Sequence, residues 1–203
     1  MSTGRWWSHR GRRFMAGIGT REPPTELIPM IQDIGECLCD DLVAITSGDA
    51  QGCDEHFVAG AMRSSKWPSI GARVFLPWNG TKRHDDTRRY EDGKIYFDAS
   101  KFENWQEAHD LALAARGSWE GLGRGGIALQ SRNPYQVLLD DLRSPVGGVV
   151  CYAKPIGKKG NVKGGTNTAV RLALDRNIEV INLATDEGME RALKYLRKHN
   201  KPY

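Results

Sequence analysis

The chain has 203 residues, 39% hydrophobic and 27% charged, a composition that suits one α/β domain and excludes a wholly disordered chain. Lys and Arg number 29 against 25 Asp and Glu, a formal charge of +4 that agrees with a phosphate-bearing partner without requiring one. No run approaches the roughly 18 apolar residues of a membrane span, and no apolar signal core follows the basic start, so the sequence predicts a cytoplasmic protein with no membrane contact.

The first 13 residues form a basic arm in which Arg5, Arg10, Arg12 and Arg13 surround Trp6 and Trp7 with no acidic residue. Arginine neutralises backbone phosphates and tryptophan offers a stacking face, so these six residues are candidates for contacting single-stranded nucleic acid. The competing readings are a basic tail, or a latch in which Trp6 and Trp7 dock on the domain.

From residue 14 to 203 the pattern is a single domain. Five short apolar runs, at 14–18, 43–46, 73–76, 148–152 and 179–183, are bounded by Gly, Pro, Asp or Asn, as strands are. Stretches of helical spacing lie between them, including Leu27, Ile31, Ile34 and Leu38, with Pro29 either kinking that helix or marking its start. Near-continuous apolar strands alternating with helices predict an α/β fold: a Rossmann-like, doubly wound, mainly parallel sheet of about five strands. An insertion at 78–126 follows the third strand, with a charged patch at 82–89, Tyr96 and Phe97, a helix at 104–115 and a glycine-rich end. It is longer than a strand-to-helix connection needs, so it either covers a site, contacts a partner or decorates the surface. A helix from Asp186 to His199 closes the chain, with Met189, Leu193 and Leu196 on one face.

Three glycine-containing turns follow strands. Gly17, Gly19, Thr20 and Arg21 end the first, where glycine lets backbone amides approach a phosphate or ribose and Arg21 adds charge; a ligand-free tight turn is the alternative. Ser47, Gly48 and Asp54 belong to the second, able either to bind ligand hydroxyls or to cap the next helix; His56 reads as structural. The third, Gly164, Gly165, Thr166, Asn167 and Thr168, follows Lys158, Lys159 and Lys163 and opens a helix, a ready anion site unless the segment is only a solvated hairpin. Arg132 and Asn133 stand before a helix expected to run through Leu142. A cation at a helix start has no dipole reason to be there, so Arg132 answers either an external anion or a buried carboxylate.

Cys37, Cys39, Cys53 and Cys151 show no zinc or redox spacing and read as reduced buried thiols, and no metal site or cofactor is expected.

Together the segments 17–21, 47–54 (similar to SGxAxGxD) and 164–168 resemble the superfamily named for the Smf/DprA DNA-processing proteins and the Lonely Guy nucleotide hydrolases, SLOG. Residues 131–138 are similar to a segment of phage-encoded members. The resemblance implies a Rossmann-like sheet whose strand ends bind a nucleotide or nucleic acid, in a homo-oligomer to which Trp67, Trp78, Trp105 and Trp119 would give either contact surface or core. Its Lonely Guy branch implies cleavage of the N-glycosidic bond of nucleoside 5'-monophosphates, with an Arg in a segment comparable to Arg132 and a Glu soon after the glycine loop. Here Ala169, Val170 and Arg171 follow Thr168, so that glutamate is absent, and Asp54, Glu55 or Asp49 would have to supply the acid. The DNA-processing branch implies single-stranded DNA binding instead. A non-catalytic sensor or sequestering protein for a nucleotide-derived signal is the third expectation, and the missing glutamate suits it.

Overall fold

The computed structural model describes residues 8–9, 11–78, 88–157 and 160–203. Arg5, Trp6, Trp7, Arg10, Lys158, Lys159 and most of the charged patch at 82–89 lie outside them. A two-residue strand, β1 (Ser8–His9), pairs antiparallel with the start of β2 (Arg12–Gly19). Along β2, Phe14, Ala16 and Ile18 enter one core and Met15 enters the other. Side chains alternate across a strand, so an uninterrupted apolar run is what a sheet covered on both faces requires.

After β2 come α1 (Ile28–Asp40), β3 (Val43–Ser47), α2 (Cys53–Ala61) and β4 (Ala72–Leu76). Pro29 occupies the first turn of α1, where its missing N–H costs nothing, and so marks the helix start without kinking it. Ile31, Ile34 and Leu38 face the core shared with Phe57, Val58 and Ala61 of α2.

The insertion then adds β5 (Arg88–Glu91), β6 (Lys94–Asp98), α3 (Trp105–Arg116) and the start of α4 (Arg124–Ser131). The expectation of five strands is corrected here. β6 pairs parallel with β4, and β5 turns back antiparallel on β6, so the inserted segment extends the sheet itself. Tyr96 and Phe97 are the reason: both are buried, and Phe97 stacks on Phe75 of β4 at 5.2 Å.

A short α5 (Asn133–Leu138) follows α4. It ends before the expected Leu142, because Leu139 and Leu142 take left-handed φ values of 58° and 55°. Each left-handed residue costs roughly 1–2 kcal/mol, and burying a leucine returns roughly 1.5–3 kcal/mol; both leucines are buried, so packing decides.

The chain continues with β7 (Val149–Tyr152), a hairpin of β8 (Pro155–Ile156) and β9 (Asn161–Val162), α6 (Thr166–Asp175), β10 (Val180–Asn182) and α7 (Asp186–Lys198). Thr185 caps α7 by accepting from the Gly188 amide at 3.1 Å, and Leu196 is fully buried.

The sheet order is β10-β7-β2-β3-β4-β6-β5, parallel except at β5 and the small β1. The chain leaves β2 toward β3 and β4, then returns to β2's other side at β7. That reversal opens a crevice outside the carboxyl ends of β2 and β7, where doubly wound sheets bind ligands.

The chain's end clamps α1: Tyr203 Oη donates to Asp33 Oδ2 at 2.9 Å and Lys201 Nζ to Glu36 Oε2 at 2.9 Å, while Arg63 pairs with both acids. All four cysteines are free and buried, and burial pushes the Cys53 and Cys151 thiols up to about 12, away from reactivity. Among the described residues no helix is long and apolar enough to cross a membrane, and no cluster of metal-ligating side chains occurs.

Candidate anion-binding cleft

The crevice at the β2–β7 reversal is a half-open cleft of about 800 Å³. One bank is the segment from Ile18 to Thr25 and the other runs along α4 and α5, with Tyr152 and Ala153 at the end of β7 and the start of α6 closing it. Pro23 and Pro24 on the first bank and Leu122 and Leu129 on the second give it apolar surface; Arg21, Arg132, Lys154 and Lys163 give it charge.

Gly164 takes φ +85°, a left-handed conformation that favours glycine, and so turns the chain from the β8–β9 hairpin into α6. The first amides of a helix lack intrahelical partners. Those of Gly164, Gly165 and Thr166 donate to no described residue, and these three residues line the cleft. α4 and α5 hold this turn in place. Asn133 Nδ2 donates to the Gly165 carbonyl at 3.2 Å, and Thr168 Oγ1 donates to Gln130 Oε1 at 2.6 Å. Gln130 is 8% exposed, and its other amide atom, Nε2, sits against Gly165 and donates to no described residue.

Deeper in the cleft are Asp54 and Arg132, 3% and 5% exposed. Asp54 lies in the first turn of α2, yet it caps nothing there. Its Oδ1 accepts from the Gly19 amide at 3.2 Å, and its Oδ2 accepts from the Gly48 amide at 2.9 Å and more distantly from Ser47 Oγ and Gln136 Nε2, both at 3.4 Å. One carboxylate therefore ties together the ends of β2 and β3, α2 and α5. Burial pushes this carboxyl above its ordinary value, opposed by the charge of Arg132 and the amides of Gly48 and Gly19.

Arg132 stands between α4 and α5, capping the carboxyl end of one helix as well as the start of the next. A cation suits the first of these positions, which corrects the expectation that the dipole gives it no reason to be there. Its guanidinium packs against Gly48, its Nε has no partner, and it makes no hydrogen bond or salt bridge with a described residue. Burial lowers its proton affinity, Asp54 raises it, the nearby Arg21 lowers it again and Asp49 raises it. Asp54 and Asp49 offset its charge without a hydrogen bond, and a buried guanidinium whose N–H groups meet no described acceptor, beside a second cation, is a costly arrangement that a bound anion would relieve.

The structure brings Gly19, Thr20, Arg21, Asp54, Arg132, Asn133, Gly164, Gly165 and Thr166 of the sequence candidates to one cleft. Gly17 instead lies inside β2, where a Cβ would strike the Phe57 ring. Ser47 is fully buried and Gly48 lies beneath Arg132. Asn167 turns its Oδ1 back to the Val162 amide at 2.9 Å, and Thr168 is buried on Gln130. Glu55 is exposed and outside the cleft lining, because one residue further along a helix points about 100° away from Asp54. Arg12 and Arg13 are part of β2 at its far end, donating to the carbonyls of Ile70 and Asp41. Across the eight residues of that strand, they sit roughly 23 Å from the cleft.

Sequence reasoning did not single out Gln130, Gln136 or Lys154. Two glutamines placed among apolar helical positions on either side of Arg132 are the signal that could have found the first two.

No protein-family model matches the chain, and no curated protein matches it in sequence. Among solved structures the chain is similar to the Moco carrier protein of Chlamydomonas rheinhardtii, with 16% identity over 93% of this chain and 86% of that one and a TM-score of 0.45. It is also similar to DNA processing protein A from Helicobacter pylori, described for its single-stranded DNA binding mode, with 13% identity over 92% and 81% and a TM-score of 0.39.

Proposed function

We propose that the cleft binds a nucleoside phosphate and retains it without cleaving it, one phosphoryl group resting on the amides of Gly164, Gly165 and Thr166. A single observation carries this reading: the cleft gathers three backbone amides, Gln130 Nε2 and the Arg132 guanidinium, all without a described partner and all donors. A set of donors with no acceptor among them calls for an anionic ligand, and a helix N-terminus adds a favourable field. Lys163 and Lys154 add charge at the same end. Pro23, Pro24, Leu122 and Leu129 supply apolar surface for a base, and the volume falls in the range of small-ligand sites.

N-glycosidic cleavage needs an acid with a lone pair or proton available to the substrate. Asp54 lines the cleft, but both its oxygens already accept hydrogen bonds that hold neighbouring loops together. That engagement favours a sensor or sequestering role over turnover.

The test is incubation of the purified chain with ribo- and deoxyribonucleoside 5'-monophosphates, followed by mass spectrometry of the retained and free fractions. Intact nucleotide retained by the protein is the expected result. Released base would contradict binding without turnover, and failure to retain any nucleotide would contradict the phosphate reading itself.

A further inference from the structure

We propose that the cleft has two phosphate subsites, not one, and takes a nucleotide whose two phosphoryl groups are separated by a sugar, as in a nucleoside 3',5'-bisphosphate. This rests on the phosphate reading above and specifies the ligand class of the same cleft.

Gln130, Arg132 and Asn133 fall within four residues of nearly continuous helix, since Arg132 itself has helical φ and ψ of −81° and −16°. Three residues on, a helix has almost completed a turn, so Gln130 and Asn133 share a face; two residues on, it has turned about 200°, so Arg132 points to the opposite side. The contacts agree. Gln130 and Asn133 both reach the Gly165 turn, whereas Arg132 lies on Gly48 at the end of β3. The donors of the cleft therefore form two diverging sets.

The strand order gives the separation. The Gly164–Thr166 turn lines the cleft with Tyr152 at the end of β7, Gly48 follows β3, and β2 lies between those two strands, its Gly19 paired with Tyr152 and its Ala16 with Thr46. Two inter-strand steps make about 10 Å. Two phosphoryl groups sharing one bridging oxygen are far closer than that; groups on opposite ends of a ribose come nearer to spanning it.

Each subsite has a side-chain donor of its own that meets no described acceptor. Gln130 Nε2 serves the α6 end, with Lys163 and the helix amides. Arg132 serves the β3 end, where its Nε and guanidinium meet no described acceptor; Asp54 and Asp49 offset its charge there, while Arg21, exposed on the cleft rim, adds a second positive charge to the same cleft. An anion between Arg21 and Arg132 answers both charges, which a phosphoryl group held at α6 does not.

The experiment is isothermal titration of the full chain with the 5'-monophosphate, the 5'-diphosphate and the 3',5'-bisphosphate of each of the four common ribonucleosides. For at least one base the bisphosphate should bind at least tenfold tighter than the monophosphate, with the diphosphate gaining less. Arg21→Ala, at an exposed position, should reduce that bisphosphate-to-monophosphate ratio to below about three. A bisphosphate that binds no tighter than the monophosphate, a diphosphate that gains as much, or a ratio unchanged by Arg21→Ala would overturn the proposal while leaving the single-phosphate reading intact. No binding by any of the three ligands would overturn both.

Discussion

A Cβ atom added at Gly48 would fall 1.7 Å from Nη1 of Arg132, 1.9 Å from its Cζ and 2.1 Å from its Nη2, so the guanidinium lies broadside on the glycine. No side chain fits there while Arg132 keeps its place. Gly48→Ala should therefore displace Arg132 and destabilise the fold by roughly 1–3 kcal/mol, the usual cost of overpacking a tight interior. Urea unfolding measures it; an unchanged midpoint would show that Arg132 moves aside freely.

Arg132→Ala should weaken a nucleoside phosphate ligand by roughly 1.5–3 kcal/mol, the value of a charge-assisted hydrogen bond. Affinity equal to that of the unaltered chain would make Arg132 a purely structural cation.

Asp54 and Arg132 should be energetically coupled. Asp54→Ala strands the Gly19 and Gly48 amides and leaves a buried cation uncompensated, a loss of roughly 3–5 kcal/mol. Arg132→Met added to Asp54→Ala should restore part of it. A double-mutant cycle reads the coupling, and strict additivity would show that the two charges do not sense each other.

The clamp on α1 predicts a dependence on acid. Burial alone would raise Asp33, but hydrogen bonds from Tyr203 and Arg63 and the charges of Lys201 and Arg63 hold its carboxyl below the ordinary value. A depressed carboxyl contributes stability that is present above its unfolded pKa, about 3.9, and lost as the pH falls through the lower folded value. Asp33→Asn should thus cost about 1 kcal/mol at pH 7, and the difference from the unaltered chain should shrink below about pH 4. Denaturant titrations at pH 7 and pH 3 that give the same difference would contradict this.

Much of this architecture can be read from residue pattern alone. The five apolar runs coincide with β2, β3, β4, β7 and β10, because strands buried on both faces leave an uninterrupted signal. The third glycine turn stands out because it directly precedes a helix. β5 and β6 do not announce themselves: at the sheet's edge, polar residues interrupt their apolar positions, and only packing of Phe97 on Phe75 reveals what the segment does. The division of labour within each turn is equally hidden. Ser47, Asn167 and Thr168 have the chemistry to touch a ligand, yet each answers a protein group brought near by the tertiary fold. Arg132 called for an anion or a buried carboxylate, and the fold sets it beside both Asp54 and an open cleft.

The most direct test of the central claim is an amide-resolved NMR titration of the full chain with a nucleoside 5'-monophosphate. Amides that donate to no described residue should acquire an acceptor, so the resonances of Gly164, Gly165 and Thr166 should move downfield and saturate together. Binding that leaves those three resonances in place, or shifts only residues remote from the cleft, would contradict the account.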